Sequence, residues 1–224
     1  MENLQTHLLQ ELNFHFNIIG VSETKITNVN SQFCVAKVLG YAFEYVPTPL
    51  ASGGVGMCIY ESLNYHILEK TSNEAFQALW IEISFDKNKN IICGIIYRQH
   101  NSPDRFQLYF DQSIENFTSF GKRVIIMRNF NIDLLKCETS SYSHDFLSSL
   151  QSCFLIPSID KPTGVRSSSA TLIDNIFVNT PDNITSCGNI ISDINDHFSQ
   201  FCILKSVRDK TKTKNLKRLF KLFK

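Results

Sequence analysis

The sequence predicts an α/β fold in which two β-sheets pack face to face and a few helices flank them, on three observations. Apolar runs of strand length recur at short, meander-like intervals through the first hundred residues, not at the spacing of a repeated strand-helix-strand unit. Helical periodicity is confined to a few places. The third observation is compositional: 224 residues that are 43% apolar, 12% aromatic and 19% charged, with nine Gly and six Pro, suit one fairly large core. That balance excludes a disordered, collagen-like or coiled-coil chain. At this length folding buries roughly 70% of the surface of the unfolded chain, so no disulfide or metal is needed to hold the core.

The elements follow in order. Leu4, Leu8, Leu9 and Leu12 recur at helical spacing and lead into Asn17-Ile18-Ile19-Gly20-Val21, which reads as a buried strand. Strand signals come next at Tyr41 to Val46, at Gly54 to Tyr60 behind the turn Ser52-Gly53-Gly54, at Leu63 to Leu68, at Ala78 to Ser84 and at Ile91 to Tyr97. Asp86-Lys87-Asn88-Lys89-Asn90 is the polar hairpin turn between the last two. Ser102-Pro103-Asp104 then supplies an N-cap, a proline at the first helical position and an early carboxylate, and Phe106, Phe110, Ile114 and Phe117 trace one apolar helix face. Val124-Ile125-Ile126-Met127 is a fully apolar strand, and a second helix runs from about Ser143 to Gln151 with Phe146, Leu147 and Leu150 inward. Strands at Thr171 to Val178, Ile184 to Ile191 and Phe198 to Val207 complete the domain. No internal repeat or low-complexity linker interrupts it.

The net charge of +1 conceals a division. Residues 1–204 hold 13 Lys and Arg against 20 Asp and Glu, whereas residues 205–224 hold nine against one, Asp209. An acidic body, residues 1–204, is therefore expected to end in a basic tail or linker start, residues 205–224. Within the tail Leu216, Leu219, Phe220 and Phe223 alternate with Lys217, Arg218, Lys221 and Lys224, the pattern of a short basic amphipathic helix. A solvated linker, a nucleic-acid contact and a membrane-surface or partner helix all fit that pattern. Seven cysteines without a C-x-x-C pair, most among apolar neighbours, read as buried thiols of a reducing compartment. The N-terminus lacks a basic and apolar leader, and no apolar run approaches the ~20 residues of a membrane span. The expected protein is intracellular and soluble, in cytoplasm or nucleus, without a membrane or an obligate protein partner.

Five segments bring acidic, amide or imidazole groups to the ends of apolar strands: Ser22-Glu23-Thr24-Lys25, Tyr97-Arg98, Asn129-Phe130-Asn131, Thr171-Leu172-Ile173-Asp174 and Asn195-Asp196-His197. Taken singly, each has an ordinary reading as a turn, sheet or surface residue. Strand ends are nonetheless where a rigid scaffold aims several side chains at one point, which makes a composite site the expectation.

In their order these segments resemble the endonuclease/exonuclease/phosphatase superfamily, in particular the nuclease domain at the N-terminus of LINE-type (non-LTR) retrotransposon proteins. Ile18-Ile19-Gly20-Val21-Ser22-Glu23-Thr24-Lys25 is similar to the family's first metal-ligand segment, and Gly53-Gly54-Val55-Gly56-Met57 to its glycine hairpin. Gly94-Ile95-Ile96-Tyr97-Arg98 resembles its tyrosine-arginine strand, and Arg128-Asn129-Phe130-Asn131-Ile132-Asp133-Leu134-Leu135 its Gly-Asp-Phe-Asn signature. Lys161-Pro162-Thr163-Gly164-Val165, Thr171-Leu172-Ile173-Asp174-Asn175-Ile176-Phe177 and Asp196-His197-Phe198 resemble its last three. The resemblance covers roughly residues 17 to 204. It implies a DNase I-like, four-layer α/β sandwich that hydrolyses DNA phosphodiesters with Mg²⁺ or Mn²⁺, in relatives fused to a reverse transcriptase.

Carried over by position, the resemblance makes Glu23 the principal metal ligand, with Asp196 beside the metal. Tyr97 donates to the phosphate, Asn131 to the attacking water or a phosphate oxygen, and His197 steadies the transition-state charge while Asp174 fixes its tautomer. Thr163, Arg98 and Asn195 fall at substrate-binding positions. Three departures from the family's pattern are expected to impair turnover. Asn129 replaces the Asp assigned to activating water, and an amide cannot take a proton. Arg128 replaces a glycine, and the family's first strand, which bears an Asn, is missing. Asn195 also stands where Ser is common. The expected function is thus a retrotransposon-derived endonuclease-like domain with a degraded catalytic set. The alternatives are a non-catalytic binding remnant and a phosphodiesterase for a smaller substrate.

Overall fold

The structure is a computed structural model that describes residues 14–33, 38–85, 90–100, 105–119, 121–191 and 197–205. Strands β1 (Ile18–Ser22), β2 (Tyr41–Val46) and β3 (Val55–Tyr60) form an antiparallel sheet in the order β1-β3-β2. After them come β4 (Asn64–Ser72), β5 (Phe76–Ser84), β6 (Ile91–Arg98), helix α1 (Arg105–Thr118), β7 (Arg123–Asn129), helix α2 (Ser141–Ser152) and β8 (Ile156–Pro157). The short hairpin β9 (Gly164–Arg166) and β10 (Ser169–Thr171) precedes β11 (Asp174–Val178), and β12 (Ile184–Ile190) pairs with β13 (Ser199–Leu204). The larger sheet runs β4-β5-β6-β7-β11-β8.

Alternation along the strands fixes the layers. On β6, Cys93, Ile95 and Tyr97 join Val46, Val55, Met57 and Ile59 of the smaller sheet in one core, while Ile92 and Ile96 face Phe106, Phe110 and Ile114 of α1 and Phe146 and Leu150 of α2 in another. Both described α-helices thus cover the outer face of the six-stranded sheet. A third cluster, Ile19, Val38, Tyr41 and Cys58, lies on the outer face of the three-stranded one. The two-sheet α/β sandwich is therefore present.

Aromatic packing ties the helices down. Phe130, just past β7, meets Phe110, Phe146 and Phe106 edge-on at centroid distances of 4.8, 5.0 and 5.2 Å. Each such pair stabilises by about 0.5–1.5 kcal/mol beyond its burial. Gly94 has a packing reason: an added Cβ would lie 2.5 Å from Trp80 Cζ3, so the fully buried indole fits only over a bare backbone.

Several boundaries differ from the expectation, as where β4 continues to Ser72 beyond the expected Leu68. The strand expected over Thr171 to Val178 is broken, because Leu172 donates its N–H to Asp133 Oδ1 at 3.0 Å and accepts from Leu134 N–H at 3.0 Å, which turns it out of the ladder. The fifth strand starts at Phe76 and so includes Gln77. The second helix begins at Ser141, since Ser140 caps it by accepting from Ser143 N–H. The helix expected at Leu4 to Leu12, most of the 86–90 turn, the cap at 102–104 and the tail after Lys205 lie outside the described residues. Among the described residues no helix is long and apolar enough to cross a membrane.

The strand pairing that matters for the site is at the centre of the larger sheet. β6 and β7 are parallel, with Tyr97 opposite Asn129, and β11 is antiparallel to β7, with Asp174 opposite Asn129. Tyr97, Asn129 and Asp174 therefore lie in one row across three neighbouring strands.

Candidate active site

Two groups of side chains converge at that row. In the first, the Tyr97 phenol, buried on the inter-sheet face, lies among Glu23, Asn131 and Ser52. Burial pushes its pKa up, the Glu23 carboxylate adds to the rise both by charge and by hydrogen bonding, and hydrogen bonds with Asn131 and Ser52 pull the other way. Tyr97 therefore stays a neutral donor.

Glu23 is placed by backbone that few sequences adopt. Glu23 and Lys25 have φ of 54° and 55°, and the loop is strapped to the glycine turn by Thr24 N–H to Gly54 O at 3.2 Å and Lys25 N–H to Gly53 O at 2.9 Å. Such left-handed conformations cost energy outside glycine and persist where the surroundings impose them. The imposing element is the turn at Gly53 and Gly54 (φ 101° and 84°), which Gln77 holds: its Oε1 accepts from Gly54 N–H at 2.9 Å while its Nε2 donates to Asn73 O at 2.7 Å. A Cβ on Gly53 would meet Gln77 Oε1 at 2.5 Å and Tyr97 Cε1 at 3.1 Å.

Asn131 also has a positive φ, 52°. Its N–H donates to Asn129 Oδ1 at 3.2 Å, and its Nδ2 donates to Arg98 O at 2.8 Å. Asn129 is buried, and its amide shapes the loop that aims Asn131.

The second group is a partly buried relay. His197 Nδ1 is 2.7 Å from Asp174 Oδ2, and the same oxygen accepts from Thr163 Oγ1 at 3.0 Å. A backbone bridge between Gly164 and His197, with Phe198 N–H donating to Thr163 O at 2.8 Å, brings the start of β13 against the hairpin that carries Thr163. A carboxylate on Nδ1 fixes the ring orientation and its tautomer.

Glu23, Tyr97, Asn129, Asn131, Asp174 and His197 are thus gathered at one end of the sandwich. Thr163 is fully buried behind Asp174, which corrects the expectation of a phosphate contact there: its hydroxyl is engaged in orienting the carboxylate. Arg98, one residue after Tyr97, points to the opposite face of the sheet, against the helices. Asn195 and Asp196 lie outside the described residues, and of Arg128 only the backbone pairing with Ile96 and Asn175 is described. Ser52 and Gln77 escaped sequence reasoning. A lone polar residue inside the apolar run Phe76-Gln77-Ala78-Leu79 was the available signal for Gln77.

A divalent ion in such a site takes hard oxygen ligands. Mg²⁺ keeps several waters and is held by one or two carboxylates together with phosphate oxygens. Glu23, exposed at the mouth beside Tyr97, fits that demand, whereas among the described residues no group of three His, Cys, Asp or Glu forms an all-protein cage.

The two-sheet sandwich is the fold of several solved nucleases. Among solved structures, the endonuclease domain of TRAS1, a telomere-specific non-LTR retrotransposon, matches with a TM-score of 0.67 and 13% identity over 88% of each chain. The catalytic domain of Xenopus laevis APE2 matches with a TM-score of 0.59 and 15% identity, over 93% of this chain and 91% of that one. The 3'-5' exonuclease NExo from Neisseria meningitidis matches with a TM-score of 0.56 and 14% identity, over 91% and 96%. No family model matches the chain, and no curated protein matches it in sequence.

Proposed function

We propose that the chain is a phosphodiester-hydrolysing domain of the retrotransposon endonuclease type, acting on DNA, whose turnover is attenuated by Asn129. The observation that carries this reading is the Asp174–His197 contact of 2.7 Å, with Asp174 in the same row as Tyr97 and Asn129 and Asn131 two residues beyond. An orienting carboxylate, an imidazole, a neutral phenol and an amide are the groups that in-line attack of water on a phosphodiester needs.

In this reading Tyr97 donates its phenolic hydrogen to a non-bridging phosphate oxygen, and Asn131 orients the attacking water. The His197 imidazolium, held by Asp174, offsets charge on the pentavalent phosphorane. Glu23, with Asp196, would hold a divalent cation, which supplies charge neutralisation at the phosphate when bound. Asn129 can accept a hydrogen bond from water but cannot remove its proton, and loss of a general base typically lowers the rate by about 10²- to 10⁴-fold. The same residue favours a second reading, a non-catalytic cleft that binds nucleic acid through phosphate contacts.

A supercoiled-plasmid nicking assay with Mg²⁺, on this chain and on Asn129→Asp, separates the two. Nicking that appears or rises in Asn129→Asp supports an attenuated nuclease. DNA binding by both chains without nicking by either supports the binding reading.

A further inference from the structure

Arg98 is a buried cation with no carboxylate partner among the described residues. It is 7% exposed, its Nη1 donates to Phe130 O at 3.0 Å, and its Nε has no hydrogen-bond partner. Its Cζ lies 5.7 Å from the Phe106 ring centroid and 5.5 Å from that of Tyr142. Phe106 is the second residue of α1 and Tyr142 the second of α2, so the guanidinium sits at the N-terminal ends of both helices.

Each helix start carries partial positive charge and N–H groups without an intrahelical acceptor. In α2 the Ser140 side chain satisfies Ser143 N–H, which leaves Ser141 and Tyr142 N–H with no partner inside the helix. The guanidinium and the start of α2 therefore bring positive charge together where water is largely excluded, an arrangement that favours an anion. The topology puts the place beside the candidate active site. Both helices start from the carboxyl ends of the parallel pair β6 and β7, and the Arg98 carbonyl accepts from Asn131 Nδ2. Tyr142, whose ring faces the guanidinium, is 47% exposed, so the place lies close to the surface on that side.

We propose that Arg98, with the first turn of α2, forms a second phosphate site next to the catalytic one. The guanidinium fork suits a tetrahedral oxyanion, with Nε and a terminal nitrogen each donating to one oxygen. The ligand is the backbone phosphate flanking the one under attack. That source rests on the function proposed above, whereas the oxyanion chemistry does not.

The test begins with the unmodified chain. In ¹H–¹⁵N spectra the Arg98 Nε–H resonance, assigned by its loss in Arg98→Lys, should move and saturate as inorganic phosphate is added at constant ionic strength, and stay put with chloride. If phosphate leaves it in place, the site does not exist. A resonance that ignores phosphate but shifts in Asp104→Asn would show that the chain supplies its own counter-charge, which overturns the site equally. The second arm is binding of a short DNA duplex, without divalent metal, across a range of salt. Arg98→Gln should weaken binding and lower the log-log salt slope by about one, whereas Arg98→Lys keeps the charge and should leave the slope near that of the parent while losing the fork geometry. Duplex binding with an unchanged slope in Arg98→Gln assigns the site to free phosphate and overturns the nucleic-acid part alone. A chain that binds no duplex sinks the proposed function, and the phosphate titration still decides the site.

Discussion

Asn129 Oδ1 accepts the backbone N–H of Asn131 at 3.2 Å, and the bond holds Asn131 in a left-handed conformation with its amide toward Tyr97. A carboxylate at position 129 would accept the same hydrogen bond. Asn129→Asp should therefore leave the fold intact and raise Mg²⁺-dependent nicking by about 10²- to 10⁴-fold, the usual range for a general base. An unchanged melting curve with no gain in nicking would remove the attenuated-nuclease reading.

Asp174 and His197 should behave as one unit. In the Asn129→Asp background, Asp174→Ala and His197→Ala should each cut single-turnover nicking by at least about 10²-fold, and the double variant should be little worse than either, since groups that act together are strongly non-additive. Thr163→Val removes a hydroxyl that only orients Asp174, so a smaller loss is expected. Strict additivity of the two alanine variants would show that the 2.7 Å contact has no catalytic role.

Two glycines should respond oppositely to alanine. At Gly94 a new Cβ would meet Trp80 carbons at 2.5 and 2.6 Å, and overpacking of this kind costs about 1–3 kcal/mol. At Gly188 the nearest atom would be Phe201 Cε1 at 3.4 Å, an ordinary contact, so Gly188→Ala should stay within about 0.5 kcal/mol of the parent. Urea unfolding monitored by Trp80 fluorescence reads both.

Burial pushes the Cys93 thiol up to about 12 and the Cys58 thiol up to about 11. In the unfolded chain both ionise near pH 8.5. Above that pH the unfolded state has already lost protons that the native state retains, so stability falls as pH rises from about 9 towards 12. The urea midpoint should drop across that window, and Cys58→Ser with Cys93→Ala should flatten the drop. At neutral pH, among the described cysteines, a thiol reagent should modify exposed Cys187 first and reach Cys58 and Cys93 only on unfolding.

Much of the fold was legible because apolar strands bounded by turns announce themselves: Ile91 to Tyr97, Val124 to Met127 and the Phe106 helix face all fall where periodicity put them. The break at Leu172 was not, since it depends on Asp133, a residue far away in sequence, capturing a backbone N–H. The same limit applies to the site. Residue types at strand ends pointed to Glu23, Tyr97, Asn131, Asp174 and His197, but the side each group faces follows from strand alternation and register. Alternation sends Arg98 to the helices while Tyr97 faces the cleft, and pairing alone reveals Thr163 as a support for Asp174. Gln77 escaped for a related reason: its amide is explained by the glycine turn it meets, not by its neighbours in sequence.

The Gly164–His197 bridge also dictates a sequence of events during synthesis. A ribosome adding about 5–20 residues per second releases Glu23, Tyr97 and Asn131 well before Asp174, and His197 last. The nascent polypeptide can thus seat phenol and amide while still wanting its imidazole. In the proposed function, hydrolysis therefore waits until β13 has left the exit tunnel, a built-in delay set by where one histidine is encoded.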